Sequence, residues 1–141
     1  MYSRVMLACC ALITLGAWAI AQKSNIVSVP APRTSATSGK EMYLAYCAAC
    51  HGREGKGDGP VAAALKTRPT DLTLLSERNH GRFPSVPVVN VITSSAGVPA
   101  HGSQEMPVWG PIFLAMGHQH ESEARLRVAN LADYLKSLQK K

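Results

Sequence analysis

Cys47 and Cys50 stand three residues apart and His51 follows directly, in the run Cys47-Ala48-Ala49-Cys50-His51. Two thiols and an imidazole held this closely must share one small volume, and few chemistries use that set. The chain has 4 cysteines. Cys9 and Cys10 lie in an apolar leader, so one close pair is left beyond it. A secreted scaffold stapled by several spread disulfides is therefore excluded. A thioredoxin-like redox pair expects a βαβ context and needs no following histidine; here a helix-like stretch precedes the pair and a glycine loop follows. A zinc ribbon would need a second Cys-x-x-Cys, which the sequence lacks. A disulfide inside the motif would close a very small loop and contribute little. Attachment of c-type haem explains every member of the set. The two thiols can add to the two vinyl groups of one porphyrin, and the next residue then presents its imidazole to the iron. The motif predicts one covalent haem c on Cys47 and Cys50, with His51 as the proximal iron ligand.

The leader bears on the redox state of those thiols. Arg4 gives a short positive start, residues 5–20 are almost wholly apolar, and Ala17-Trp18-Ala19 and Ala19-Ile20-Ala21 both fit a small-x-small cleavage site. Residues 1–21 read as a signal peptide cut after Ala21. An uncleaved anchor over residues 5–21 is the second reading, at the short edge of what spans a bilayer. Lipidation at Cys9 or Cys10 fits poorly, because too little apolar sequence precedes either. Each version exports the chain, to the periplasm, free or tethered to the membrane facing it. Residues 22–38, rich in Ser, Thr, Pro and Ala, read as a flexible linker, and 39–141 as one domain. The formal net charge is +6, but no run of five bases appears, which excludes a nucleic-acid arm. The bases are scattered as on an ordinary solvated surface, at most steering an acidic protein partner.

Local patterns are mostly helical. Residues 39–49 read as a helix with Met42, Tyr43 and Tyr46 on its packed face. Gly52, Gly55, Gly57 and Gly59 make a loop. Pro60 suits the start of a short helix over 61–66, and 68–73 are extended. Residues 85–96 allow a strand, from their β-branched residues, or a short helix opened by Ser85 and Pro87. Residues 97–107 are loop, and 111–116 a short apolar piece ended by Gly117. Ala124, Val128, Leu131, Leu135 and Leu138 step by four and three along one face of a last helix, with Ser122 as its cap.

A second axial ligand must come from elsewhere in the chain. Met42 lies too close to Cys47, on the same helix. Met116 sits in an apolar stretch, where methionine fills core space. Met106 stands in Gln104-Glu105-Met106-Pro107, a polar loop stiffened by proline, which suits a thioether ligand. His101 is its rival and would give bis-histidine ligation; His80, His118 and His120 read as surface histidines. Histidine–methionine ligation fills both axial positions and raises the potential, which suits electron transfer rather than oxygen or peroxide activation.

With these residues in view, the chain resembles the class I c-type cytochromes, small bacterial monohaem carriers and related cytochrome subunits. The likeness covers 39–138, and its strongest marks are the 47–51 motif and Met106-Pro107-Val108-Trp109-Gly110. It implies an all-α cytochrome c fold: several short helices around one covalent haem, with the first and last helices crossing. It places Gly39 and Tyr43 on the first helix against Leu131 and Tyr134 on the last. It implies that the Pro69 carbonyl accepts the Nδ1–H of His51, with Pro60 as the alternative, and that Trp109 packs on the haem or holds a propionate, if it is not plain core. Residues 78–84 have no counterpart role. The implied function is one-electron transfer in a periplasmic or membrane-associated respiratory chain, without catalysis of its own. The implied partners are redox proteins such as dehydrogenases, oxidases or quinol–cytochrome c reductase complexes. A cytochrome subunit of a dehydrogenase or oxidase is the alternative, and a haem sensor or enzyme with an open sixth site a more distant one.

Overall fold

A computed structural model describes residues 30–94 and 106–140. The leader 1–21, the first part of the expected linker, His101 and most of the loop 97–107 lie outside the described residues. Among those described, the regular structure is entirely helical. Helix α1 spans Gly39–Tyr46 and starts where the Ser38 hydroxyl accepts the Glu41 amide at 3.2 Å. The helix expected over 39–49 breaks at Cys47. That residue still donates to the Tyr43 carbonyl, but its φ opens to −110° and the chain restarts as α2, Ala48–His51. Tyr43 holds the two together, its buried hydroxyl donating to the Gly52 carbonyl at 2.6 Å. Burial pushes that phenol well above its ordinary value, helped by the nearby Cys47, Tyr134 and Asp58.

The next stretch is less regular than expected. Pro60 does not open a helix over 61–66; only a 3-10 turn forms, Ala62–Ala64, with no buried residue to hold more. Asp71 caps a second 3-10 turn, Leu72–Leu74, accepting from the Thr73 amide at 2.9 Å and the Thr73 hydroxyl at 2.6 Å. Helix α3, Leu75–Arg78, follows and has no clear sequence signal. Residues 85–93 resolve as helix, not strand: α4, Ser85–Thr93, buries Val88 and Ile92, four apart on one face. Its cap position is Pro84, with Ser85 the first helical residue, and Pro87 falls in the first turn, where no donor is missed. Helix α5 runs Trp109–Met116 and ends at Gly117. Helix α6, Glu121–Ser137, begins after His120, so Ser122 lies inside its first turn rather than capping it. Acidic Glu121 and Glu123 at its start and Lys136 near its end match the helix dipole.

Helix α6 is the hub, packing on α1, α4 and α5. It buries Val128, Leu131, Ala132 and Leu135, close to the face its spacing predicted. At its crossing with α1 a Cβ on Gly39 would collide with the Asn130 carbonyl, so only glycine lets the helices meet this closely. Tyr43 and Tyr134 fill the crossing with ring centroids 5.3 Å apart. The all-α fold with crossing first and last helices is as expected. Two surface expectations change. Pro32, Thr34 and Ala36, in the stretch assigned to the linker, are hydrogen-bonded to Tyr46, Arg127 and Asn130, so the packed unit begins earlier than residue 39. Arg127, taken as one of the scattered surface bases, is 6% exposed. Its guanidinium is paired with Glu123 at 2.8 Å and donates to the Thr34 carbonyl at 3.0 Å.

Two outcomes check this packing. Gly39→Ala should cost about 2 kcal/mol by forcing α1 off α6, read as a lowered denaturant midpoint. Asp71 titrates low: partial burial opposes its charge, but the Thr73 bonds and the nearby Lys140 and Arg78 outweigh that. Its contribution is therefore present above the unfolded carboxyl value of about 4 and lost as pH falls through the lower native one. Asp71→Asn should flatten the acid limb of a stability–pH curve below that point.

Candidate haem site

The motif helix is stabilised by the loop that follows it. Gly57, Gly59 and Val61 return their amides to the carbonyls of His51, Cys50 and Ala49 at 2.8, 3.1 and 3.1 Å, satisfying the end of α2. The Leu72 amide then bonds the Gly55 carbonyl at 2.7 Å, drawing residues 69–72 alongside. Gly57 has φ 74°, and a Cβ there would strike the Pro69 carbonyl. Since the Pro69 carbonyl is turned toward Gly57, the carbonyl that reaches His51 is the next one. Thr70 O lies 3.0 Å from His51 Nδ1. This corrects the expectation of Pro69, or of Pro60, by residue but not by kind: a backbone oxygen just after proline orients the ring. A ring donating from Nδ1 carries its lone pair on Nε2, the form that ligates a metal.

His51 is 8% exposed and lies in the wall of an apolar cleft. Cys47, Thr70, Leu72 and Leu75 line it as well. Pro87, Val88, Val91 and Ile92 of α4 and Leu131 and Leu135 of α6 add apolar walls. Met106 and Trp109 complete the lining. Cys47, His51, Met106 and Trp109 are thus brought to one cavity from two distant stretches of sequence. Cys50 sits half-buried on α2, and neither it nor Cys47 is in a disulfide. Burial, with the neighbouring Cys50, pushes the Cys47 thiol up to about 12, so it is protonated at neutral pH in the folded chain.

A large planar apolar ring with one central metal fits this site. The walls are almost wholly hydrocarbon, both thiols are uncommitted, and an imidazole and a thioether line the same cavity. A zinc ion would find no set of three or more nitrogen, sulfur or oxygen ligands; no such group occurs among the described residues.

Several residues at or near the site escaped the sequence. Thr70 acts through its backbone, which leaves no side-chain signal. Tyr46 stacks on Trp109 with centroids 4.7 Å apart, a pairing across 63 residues that no local pattern shows. Gln139 donates to the Leu72 carbonyl and accepts the Ser76 amide, both at 2.8 Å, clamping the 72–76 wall from the end of α6. Met116 is half-buried against the core, with its sulfur 3.6 Å from the Tyr46 hydroxyl. His80 and His118 are exposed, as read, and both hold positive φ. In residues 78–84 the exposed turn is closed by the Asn79 side chain on the Arg82 carbonyl at 2.6 Å, and Pro84 reaches the cleft.

The family model for cytochrome c matches residues 36–139. No curated protein and no solved structure shows a significant match to the chain. No helix among the described residues is long and apolar enough to cross a membrane. The helical fold, the cleft and the Cys47–His51 spacing agree with that match, and the chain belongs to the cytochrome c family, electron-transfer proteins that carry covalently attached haem c.

Proposed function

We propose that the protein is an exported monohaem carrier that passes single electrons between redox proteins, with its haem iron held by His51 and Met106. The observation that carries this reading is the placement of Met106 and His51 in the wall of one apolar cleft. Haem c, when bound here, would supply one-electron chemistry between the ferrous and ferric states.

The chain's own residues do the rest. Cys47 and Cys50 would tether the group by thioethers and keep it from exchanging. The Thr70 carbonyl fixes the His51 ring and makes it a stronger donor to the metal. Met106 offers a soft, neutral sulfur, which favours the reduced state. The leucine, valine and proline walls exclude water and lower the local dielectric, which limits reorganisation on transfer. Held by His51 and Met106 together, the iron would serve electron transfer rather than oxygen or peroxide binding.

The apolar, Ala-x-Ala-ended leader supports export to the periplasm, by cleavage after Ala21 or as a tether through residues 5–21. Donors and acceptors are redox proteins of the dehydrogenase, oxidase or quinol–cytochrome c reductase kind, met over a small transient interface. Met106→Ala should abolish the weak charge-transfer band of methionine-ligated ferric haem, and Met116→Ala should leave it intact. The reverse pattern would move the ligand to Met116. Rapid, complete binding of carbon monoxide by the reduced wild-type protein at neutral pH would instead indicate an open sixth position.

A further inference from the structure

Tyr46 stands immediately before the first motif cysteine, and its two ends do different things. Its ring stacks on Trp109, centroids 4.7 Å apart and planes 28° apart. Trp109 is 7% exposed, opens α5 and forms part of the cleft wall, close in sequence to Met106. Its other aromatic neighbour is the fully buried Phe113, at 5.7 Å.

The hydroxyl of Tyr46 points into a chain of hydrogen bonds. It donates to the Pro32 carbonyl at 2.6 Å. A phenol has one proton, so the Thr34 hydroxyl, 2.7 Å away, donates to it in turn. Thr34 accepts from Arg127 at its carbonyl, 3.0 Å, and at its hydroxyl, 3.2 Å. Arg127 is buried and held by Glu123 through Nε and a terminal nitrogen, at 3.1 and 2.8 Å. Such a chain polarises each of its members, and in a half-buried setting it fixes the phenol in one place. Pro32 and Thr34 precede the span 36–139 that matches the family model, so this anchor is built from sequence outside the matched region.

We infer that Tyr46 is a positioning residue for the haem cleft: its anchored hydroxyl fixes the ring on which Trp109 rests, and through Trp109 it restrains Met106. The second half rests on the ligation proposed above for Met106. An unanchored phenyl ring would still fill the space but could slide, letting the indole and Met106 move with it.

The test uses the haem-loaded protein and two readouts. One is the rate at which imidazole displaces the methionine ligand from ferric iron. The other is the exchange rate of the Trp109 indole N–H in the ferrous protein, by NMR. Thr34→Val, which removes one of the two partners of the phenol, should raise both rates about fivefold, as expected for one lost hydrogen bond, and Tyr46→Phe, which keeps the ring but loses the bonds to both Pro32 and Thr34, should raise them further. The double variant should do no more than Tyr46→Phe alone, because the bond that Thr34→Val breaks is already gone. Ser38→Ala, which removes the α1 cap bond, is the stability control and should lower the unfolding midpoint with both rates unchanged. Wild-type rates in Tyr46→Phe and Thr34→Val, or equal acceleration in Ser38→Ala, would overturn the inference. If the wild-type ferric protein proves to have no methionine ligand, the ligation reading and the link to Met106 fail together. Indole exchange then decides the bracing of Trp109, faster exchange in Tyr46→Phe supporting it and unchanged exchange overturning it.

Discussion

The contact between the Thr70 carbonyl and His51 Nδ1 is the point on which the site turns, because it fixes the one imidazole that the motif presents. It joins two segments that have little reason to meet on their own. The motif helix needs its terminal carbonyls satisfied, and the glycine loop does so by folding back under it. That fold-back requires left-handed backbone at Gly57 and leaves no room there for a side chain beside Pro69. Asp71 then caps the turn that leads away, and Gln139 and Lys140 bind the same stretch from the end of α6. Thr70 has its position because the residues on either side of it are held.

Helix α6 performs two tasks along one length. Its middle crosses α1 at Gly39 and Tyr43, which fixes the helix that leads into Cys47. Its C-terminal end clamps the 72–76 wall on the other side of His51. Between these points Leu131 and Leu135 face the cleft. A short chain can therefore hold a large apolar group with few elements, since one helix supplies both a wall and two fixings. The group itself fills space that so small a domain would otherwise struggle to bury.

What the sequence disclosed follows how local each signal was. Cys47, Cys50 and His51 were legible because their chemistry is confined to five consecutive residues. The face of α6 was legible from its spacing, and Gly39 and Tyr43 from the family resemblance. The choice between strand and helix at α4 was not, because valine-rich stretches suit both and burial of Val88 and Ile92 against the other helices decides it. The histidine's acceptor was missed by one residue, since the direction of a backbone carbonyl depends on the loop that faces it. Arg127 looked like a surface charge until Thr34, 93 residues away, proved to be its partner. The linker reading gives way over 32–36 for the same reason: Pro32, Thr34 and Ala36 are held by side chains farther along the chain.

His51 and Met106 in the wall of one apolar cleft would hold the iron between an imidazole and a thioether. Iron K-edge X-ray absorption of the purified ferric protein reads that directly. Ligation by His51 and Met106 gives a first shell of five nitrogens and one sulfur. A shell of nitrogen and oxygen alone, or a five-coordinate iron, would contradict it.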